Sequence, residues 1–418
     1  MLLLAAPSRG APVVSIAEDD AQLLRSGPVA REQALDDWAA LGVDMVRIIV
    51  IWRDATPAAL AQLDAAVAGA RARGLQVLLT PTGPGPRAAS RCRPRRDVCD
   101  PAPQAFGRWV GRLARRYPEV RSWAVWNEPN NAHWLQPQRT PTGVRSPRLY
   151  RALAQAASAA IRADPQHRAD RILVGETAPV FRSRAEPPAR QMVEADTFLR
   201  ALLRAGGVPL ADAISHHPYA GGLSSPEGRR AAAQYSLAGL PRLRAVAREA
   251  RVRRQVRTGE VWLTELGFQT NPPDRFFGMP LARQASFIAR AEEIATRGGA
   301  ASIAQYVLVD ERGGSGFQSG LRFADGRPKP SYGGYQAPLV VRARGRTATI
   351  WGRLRPVRVA GTPVTVIDGR GRTVWQGATG EGGLFTGRAA RPSGRVRVRW
   401  QQADGTVLLG PWITPVPG

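Results

Sequence analysis

Two glutamates in this chain are placed where a side chain could do chemistry. In Trp123-Ala-Val-Trp-Asn-Glu-Pro-Asn-Asn131 an apolar, strand-like run leads into Asn127-Glu128-Pro129. Proline has no N–H to give a ladder, so a strand stops there and Glu128 falls at its end. The second stretch, Gly259-Glu-Val-Trp-Leu-Thr-Glu-Leu-Gly-Phe268, holds two acids. Glu260 opens the run. Glu265 closes it, and by period-2 alternation it shares a side with Val261 and Leu263, the side we take to face inward. A protonated carboxyl can assist a departing oxygen while an ionised one attacks carbon. Two carboxylates about 5 to 5.5 Å apart suit double displacement at an anomeric carbon, whereas a gap near 9 Å admits a water and inverts.

The elements that must hold these acids alternate along the chain. Strand candidates are Val13–Ile16, Val43–Ile51, Leu75–Thr80, Ser122–Trp126, Arg171–Val174, Ala213–His216, Val261–Thr264 and Ser302–Val309. Between them run amphipathic helix candidates: Ala30–Leu41, Pro57–Arg73, Gln104–Arg116, Ser146–Arg162, Ala195–Ala205, Tyr235–Ala250 and Leu281–Thr296. Thr56 is placed to cap the second helix, with Pro57 at its first position and Gly74 suited to a left-handed end. Such alternation predicts an α/β protein with parallel strands and right-handed crossovers. Eight strands fit a closed (β/α)8 TIM barrel, in which C-terminal strand ends line the functional mouth. An open doubly wound sheet is the alternative, weakened because no Gly-x-Gly-x-x-Gly follows the first strand. After Pro330-Ser-Tyr-Gly-Gly-Tyr335 the composition changes to short alternating strands with the turn signals Asp368-Gly369 and Asp404-Gly405. We therefore divide the chain into residues 1–335, the barrel, and 336–418, a small β-sandwich that either binds carbohydrate or covers the barrel. Its tryptophans, Trp351, Trp375, Trp400 and Trp412, could all be core.

With Asn127-Glu128-Pro129 on the fourth strand and Thr264-Glu265-Leu266-Gly267 on the seventh, residues 10 to 335 resemble the retaining glycoside hydrolases of clan A. The likeness is to the cellulase-like family five and the xylosidase-like family thirty-nine. The resemblance implies Glu128 as acid/base and Glu265 as nucleophile. It implies Arg47, in Met45-Val-Arg-Ile48, as support of the nucleophile, with a structural ion pair as the other reading. In Ser215-His-His-Pro-Tyr219 it matches His217 and Tyr219 to the clan's histidine and tyrosine; His216 turns to the opposite side as a packed residue. Asn127 would meet a sugar 2-hydroxyl. Trp52, Trp134, Phe268 and Tyr306 could stack on sugar rings or simply pack. The eighth strand departs from the clan, offering Gln305 and Tyr306 where many members carry tryptophan. Glu176, Asp310 and Glu311 follow strand ends as substrate contacts or solvated charges. The resemblance implies a carbohydrate substrate, no cofactor and no metal.

The charge bears on the partner. With 59 Lys and Arg against 33 Asp and Glu, the formal net charge is +26, a balance that first suggests a polyanion. Yet Lys329 is the one lysine, the arginines are dispersed, and no nucleic-acid-binding signature is present, so compositional habit is preferred and nucleic acid is not expected as a partner. Cys92 and Cys99, the two cysteines, lie in one polar loop. They are too few for a structural zinc site and are expected to form a local disulfide rather than stay as free thiols. Such a bond implies an oxidising compartment and a secreted or cell-surface protein. The apolar Met1–Ala6 is too short and lacks the basic start of a full signal peptide, and is read as the remnant of one whose start lies upstream. No apolar run is long enough for a membrane span, and a monomer is expected.

Overall fold

The computed structural model describes residues 12–179, 187–204, 209–219, 226, 235–313, 316–357, 359–402 and 405–418. The Met1–Ala6 segment and Asp404 lie outside these residues.

Eight parallel strands close into a barrel: β1 (Val14–Glu18), β2 (Met45–Ile51), β3 (Gln76–Thr82), β4 (Ser122–Ala124), β5 (Arg171–Thr177), β6 (Ala213–His216), β7 (Val261–Leu263) and β8 (Ser302–Tyr306). Each pairs with its neighbours in chain order, and β8 closes on β1, with Ile16 opposite Ala304. The helices are α1 (Pro28–Ala40), α2 (Pro57–Ala72), α3 (Pro103–Arg116), α4 (Ser146–Arg162), α5 (Ala195–Leu202), α6 (Leu240–Val252), α7 (Leu281–Gly298) and α8 (Pro330–Gln336). The start of α2 follows its sequence: the Thr56 hydroxyl accepts from the Ala59 amide at 3.2 Å, and Pro57 occupies the first turn where no N–H is needed. Gly74 follows its end at φ +73°, the left-handed conformation that glycine adopts without strain.

The barrel interior is built in two tiers. The lower tier takes one apolar residue from each strand: Ile16, Met45, Leu78, Ala124, Leu173, Ala213, Trp262 and Ala304. Two residues further along, on the same side of the pleat, come Glu18, Arg47, Thr80, Ser215, Thr264 and Tyr306. This tier is polar, and it is the floor of the mouth. The expected inward face of β7 is thereby corrected. Val261 and Leu263 pack in the layer between barrel and helices, while Trp262 fills the interior. β7 ends at Leu263; Thr264 still faces inward, and because the chain leaves the pleat there Glu265 reaches the mouth as well.

Beyond α8, two four-stranded sheets follow. One has the order β13 (Leu384–Ala390), β10 (Thr347–Arg353), β9 (Leu339–Arg344), β16 (Val416–Pro417). The other runs β12 (Thr373–Ala378), β11 (Pro363–Asp368), β14 (Val396–Gln401), β15 (Val407–Leu409). Ile350 and Phe385 of the first share an apolar cluster with Val366 and Trp400 of the second. Trp351 and Trp400 are buried, Trp375 stacks on Phe385 at 5.7 Å, and Trp412 lies under the Arg397 guanidinium. Arg353 and Arg355 fasten these sheets to the barrel. Both donate to Glu292 of α7, at 2.9 and 2.6 Å, and Arg353 also reaches the Val13 carbonyl. Arg342 grips Glu293 at 2.7 Å. Cys92 and Cys99 are bonded, stapling the loop after β3. Among the described residues, no helix is long and apolar enough to cross a membrane.

Candidate active site

Strand ends carry the two acids, by different local devices. After β4 the chain turns sharply: Trp126 sits at φ +70° and Glu128 at φ +40°, conformations that L residues adopt only when the surroundings impose them. The surroundings do so here. The Trp126 amide donates to the Pro81 carbonyl, that of Asn127 to the Thr82 hydroxyl and that of Glu128 to the Glu176 carbonyl, at 2.8 to 2.9 Å. Gly83 lies against the Trp126 ring, where an added Cβ would come within 2.3 Å. Glu265 simply follows β7 across the mouth. An oxygen of Glu128, one of Glu265 and a ring nitrogen of His217 all lie within 4.8 Å of one another.

Arg47, fully buried, organises one side. One terminal nitrogen donates to Glu265 at 3.0 Å and also to Glu18; the other donates to Asn127 and Glu176, both at 2.7 Å. Burial would lower the guanidinium's pKa, but Glu18, Glu176 and Glu265 outweigh it and hold the charge in place. Tyr219 donates its hydroxyl to the second oxygen of Glu265 at 2.6 Å. Both oxygens of Glu265 are therefore engaged by donors.

His217 lies between carboxylates. Its Nδ1 is 3.3 Å from Glu128 and 3.5 Å from Glu265, and its Nε2 is 3.2 Å from Glu176. Burial favours the neutral ring, but the three acids outweigh it and push the pKa up to about 10. The adjacent His216 is its opposite. Burial lowers its pKa to about 3; the Thr177 hydroxyl is 2.8 Å from Nδ1, Nε2 faces the Tyr235 carbonyl, and the ring packs edge-on to Tyr235.

Several expectations are corrected. Glu128 has two partners: Asn131 donates to it at 3.0 Å, and His217 lies 3.3 Å away. Burial raises its pKa, but His217, Asn131 and Arg47 prevail and leave it lowered, against the raised value expected of an acid. Trp52 is core, stacked on Trp109 at 5.8 Å with Gly85 against its ring, and has no face open to a sugar. Phe268 is likewise buried, edge-on to Phe287 at 5.5 Å. Trp134 is half-buried against the core. Tyr306 does stand at the mouth, its ring edge-on to the exposed Phe317 at 4.8 Å, and burial followed by Glu265, Glu18 and Asp20 raises its pKa. Asp310 is neither substrate contact nor solvated charge, being buried against Lys329 at 2.7 Å.

Glu18 was missed altogether. The expected first strand stopped at Ile16, and Glu18 lies two residues beyond that interior position, where alternation would have placed it in the mouth. Burial pushes its carboxyl up despite the Arg47 contact, because that one guanidinium is shared among three carboxylates.

No family model and no curated protein matches this sequence. Solved structures match by fold. GH5_18 from Streptomyces cattleya, solved in complex with GlcNAc, aligns at 18% identity and a TM-score of 0.53, covering 78% of this chain and 79% of that one. A fungal β-1,4-galactanase aligns at 16% identity and TM-score 0.52, over 78% and 94%. A calcium-binding mutant of Bacteroides uniformis β-glucuronidase 2 aligns over 98% of this chain at 13% identity and TM-score 0.53, but only 46% of its own length is spanned. At such identities the likeness defines a class of fold: the TIM barrel on which these glycoside hydrolases are built.

Proposed function

We propose that this chain is a retaining glycoside hydrolase, with residues 1–335 as catalytic domain and 336–418 as an accessory sandwich. One observation carries the reading: oxygens of Glu128 and Glu265 approach within 4.8 Å across the mouth, and Arg47 and Tyr219 engage both oxygens of Glu265. So close an approach supports double displacement rather than the wider gap of an inverting pair. Glu265 attacks the anomeric carbon while Glu128 gives its proton to the departing glycosidic oxygen. Glu128 then takes a proton from water, whose oxygen displaces Glu265 and frees the sugar with its configuration retained. Asn127 spends its carbonyl on Arg47, leaving the amide nitrogen to meet a 2-hydroxyl. In the free site Glu128 is held ionised by its neighbours. Its proton therefore arrives with the substrate, when a bound sugar displaces Asn131 and water and burial prevails.

The neighbours named above are a β-glucuronidase, a protein solved with GlcNAc and a β-1,4-galactanase, and a β-glucan, xylan, galactan or arabinose-containing glycan is the substrate class we propose. The disulfide supports a secreted or cell-surface location. A panel of nitrophenyl glycosides tests the reading. Glu128→Ala should still cleave substrates with good leaving groups, and azide should speed turnover to a glycosyl azide of retained configuration. Glu265→Ala should lose glycosylation whatever the leaving group, with at most an inverted azide product. The reverse pattern would exchange the two roles. No hydrolysis of any glycoside by the wild type would end the reading.

A further inference from the structure

Glu176 binds the two cations that face the catalytic carboxyls, Arg47 against Glu265 and His217 against Glu128 and Glu265. One of its oxygens accepts from Arg47 at 2.7 Å and from His217 Nε2 at 3.2 Å. The other accepts from the Thr264 hydroxyl at 2.9 Å, while its amide donates to the Ser215 hydroxyl at 3.2 Å. The side chain is wholly buried. Its backbone, at φ +40° after Gly175 at φ +118°, is turned inward by a bulge in β5. The chain thus accepts local strain to bring a third carboxylate under the catalytic pair.

The imidazole between these acids has little choice of state. A neutral ring has one donor nitrogen and one acceptor. Here Nδ1 faces Glu128 and Glu265, and Nε2 faces Glu176, so either neutral tautomer would set a lone pair against a carboxylate. We propose that Glu176 is a positioning residue that holds His217 as an imidazolium, keeping a fixed positive charge wedged between the two catalytic carboxylates. The groups facing the ring are Glu128 from the end of β4, Glu176 from β5 and Glu265 beyond β7, with Arg47 of β2 sharing two of them and neutral His216 beside it. The charge has a use. It draws Glu128 and Glu265 together in the free site despite their mutual repulsion, and it offsets the anion left when one of them gives up a proton. The high pKa of His217 agrees with this state.

The inference rests on the glycosidase reading only for that use, so the test is made without turnover. Ring 15N shifts of the four histidines in labelled full-length protein, with His217 assigned by its loss in His217→Asn, report protonation directly. In the wild type both ring nitrogens of His217 should carry protons through pH 8, titrating only near 10. Glu176→Gln should bring the midpoint down by about 1 to 3 units, the usual effect of one neighbouring charge. Glu176→Asp, which keeps the charge but withdraws it by one methylene, should give a smaller drop of the same sign and guards against a glutamine variant that does not fold. A wild-type His217 neutral at pH 7, or folded Glu176 variants with an unmoved midpoint, would overturn the proposal whether or not the protein hydrolyses a glycoside.

Discussion

Arg47 shows what a single residue does in this mouth. One guanidinium meets Glu18, Glu176, Glu265 and Asn127, drawn from four different strand ends. Its planar fork of donors is suited to that, and lysine, a point charge, is not. The reverse choice is made at Lys329, the one lysine among 59 cationic residues. Its buried ammonium donates to Asp310 at 2.7 Å, to the Thr270 hydroxyl at 2.8 Å and to the Gln318 carbonyl at 3.1 Å. Three acceptors around a point suit an ammonium's three hydrogens. Glu128 yields the prediction that belongs to this scale. Its neighbours lower its pKa in the free site, and on the proposed reading a bound sugar displaces Asn131 from it. The alkaline limb of kcat, which reports the complex, should therefore lie at higher pH than that of kcat/KM, which reports the free enzyme. Coincident or reversed limbs in a pH–rate series would contradict the proton's arrival with substrate. Glu128 and Glu265 stood out in the sequence because each follows the end of a β-rich run, whereas Arg47, His217 and Tyr219 were reached only through the family resemblance. The partners that set their charge states did not stand out, because Asn131 and Glu176 meet them through folds in the backbone.

The elements deliver side chains through their ends, and short strands make those ends decisive. β4 and β7 have three residues each, so Glu128 and Glu265 both lie beyond the pleat. Sequence pattern found all eight strands and seven long helices, since each carried an apolar run or a proline-led amphipathic face. It misjudged the inward side of β7, because Val261, Trp262 and Leu263 are all apolar and both faces of a barrel strand are buried. It also stopped β5 short, since a bulge leaves no mark in hydropathy. Gly175 is that bulge's requirement: an added Cβ would come within 2.5 Å of the Ser215 carbonyl oxygen. Gly175→Ala should displace Glu176, and with it Arg47 and His217, and lower kcat at least about 100-fold, as a misplacement near 1 Å can. Full activity in steady-state assays would show that the bulge is not what holds the site.

At the scale of the whole molecule, two bodies meet through buried charge. Glu292 of α7 accepts from Arg353 and Arg355 of the C-terminal part, all three buried. Such a pair is weak evidence of net stability, but removing one member strands the others. Glu292→Ala should cost about 3–5 kcal/mol in a urea melt, and a change below about 0.5 kcal/mol would mean that these charges find water. The change of composition near residue 335 coincides with the passage from the helix Pro330–Gln336 to antiparallel sheets. This fastening left no such mark in the sequence, because its partners are tens to hundreds of residues apart.

The central claim is that Glu265 becomes covalently joined to the sugar. A fluorinated glycoside that forms the glycosyl-enzyme quickly and loses it slowly, chosen from the sugar the nitrophenyl panel favours, would trap that ester. Mass spectrometry of the digested protein should find one label, on Glu265. A label on Glu128, or rapid turnover with an inverted first product and no trapped ester, would contradict the account.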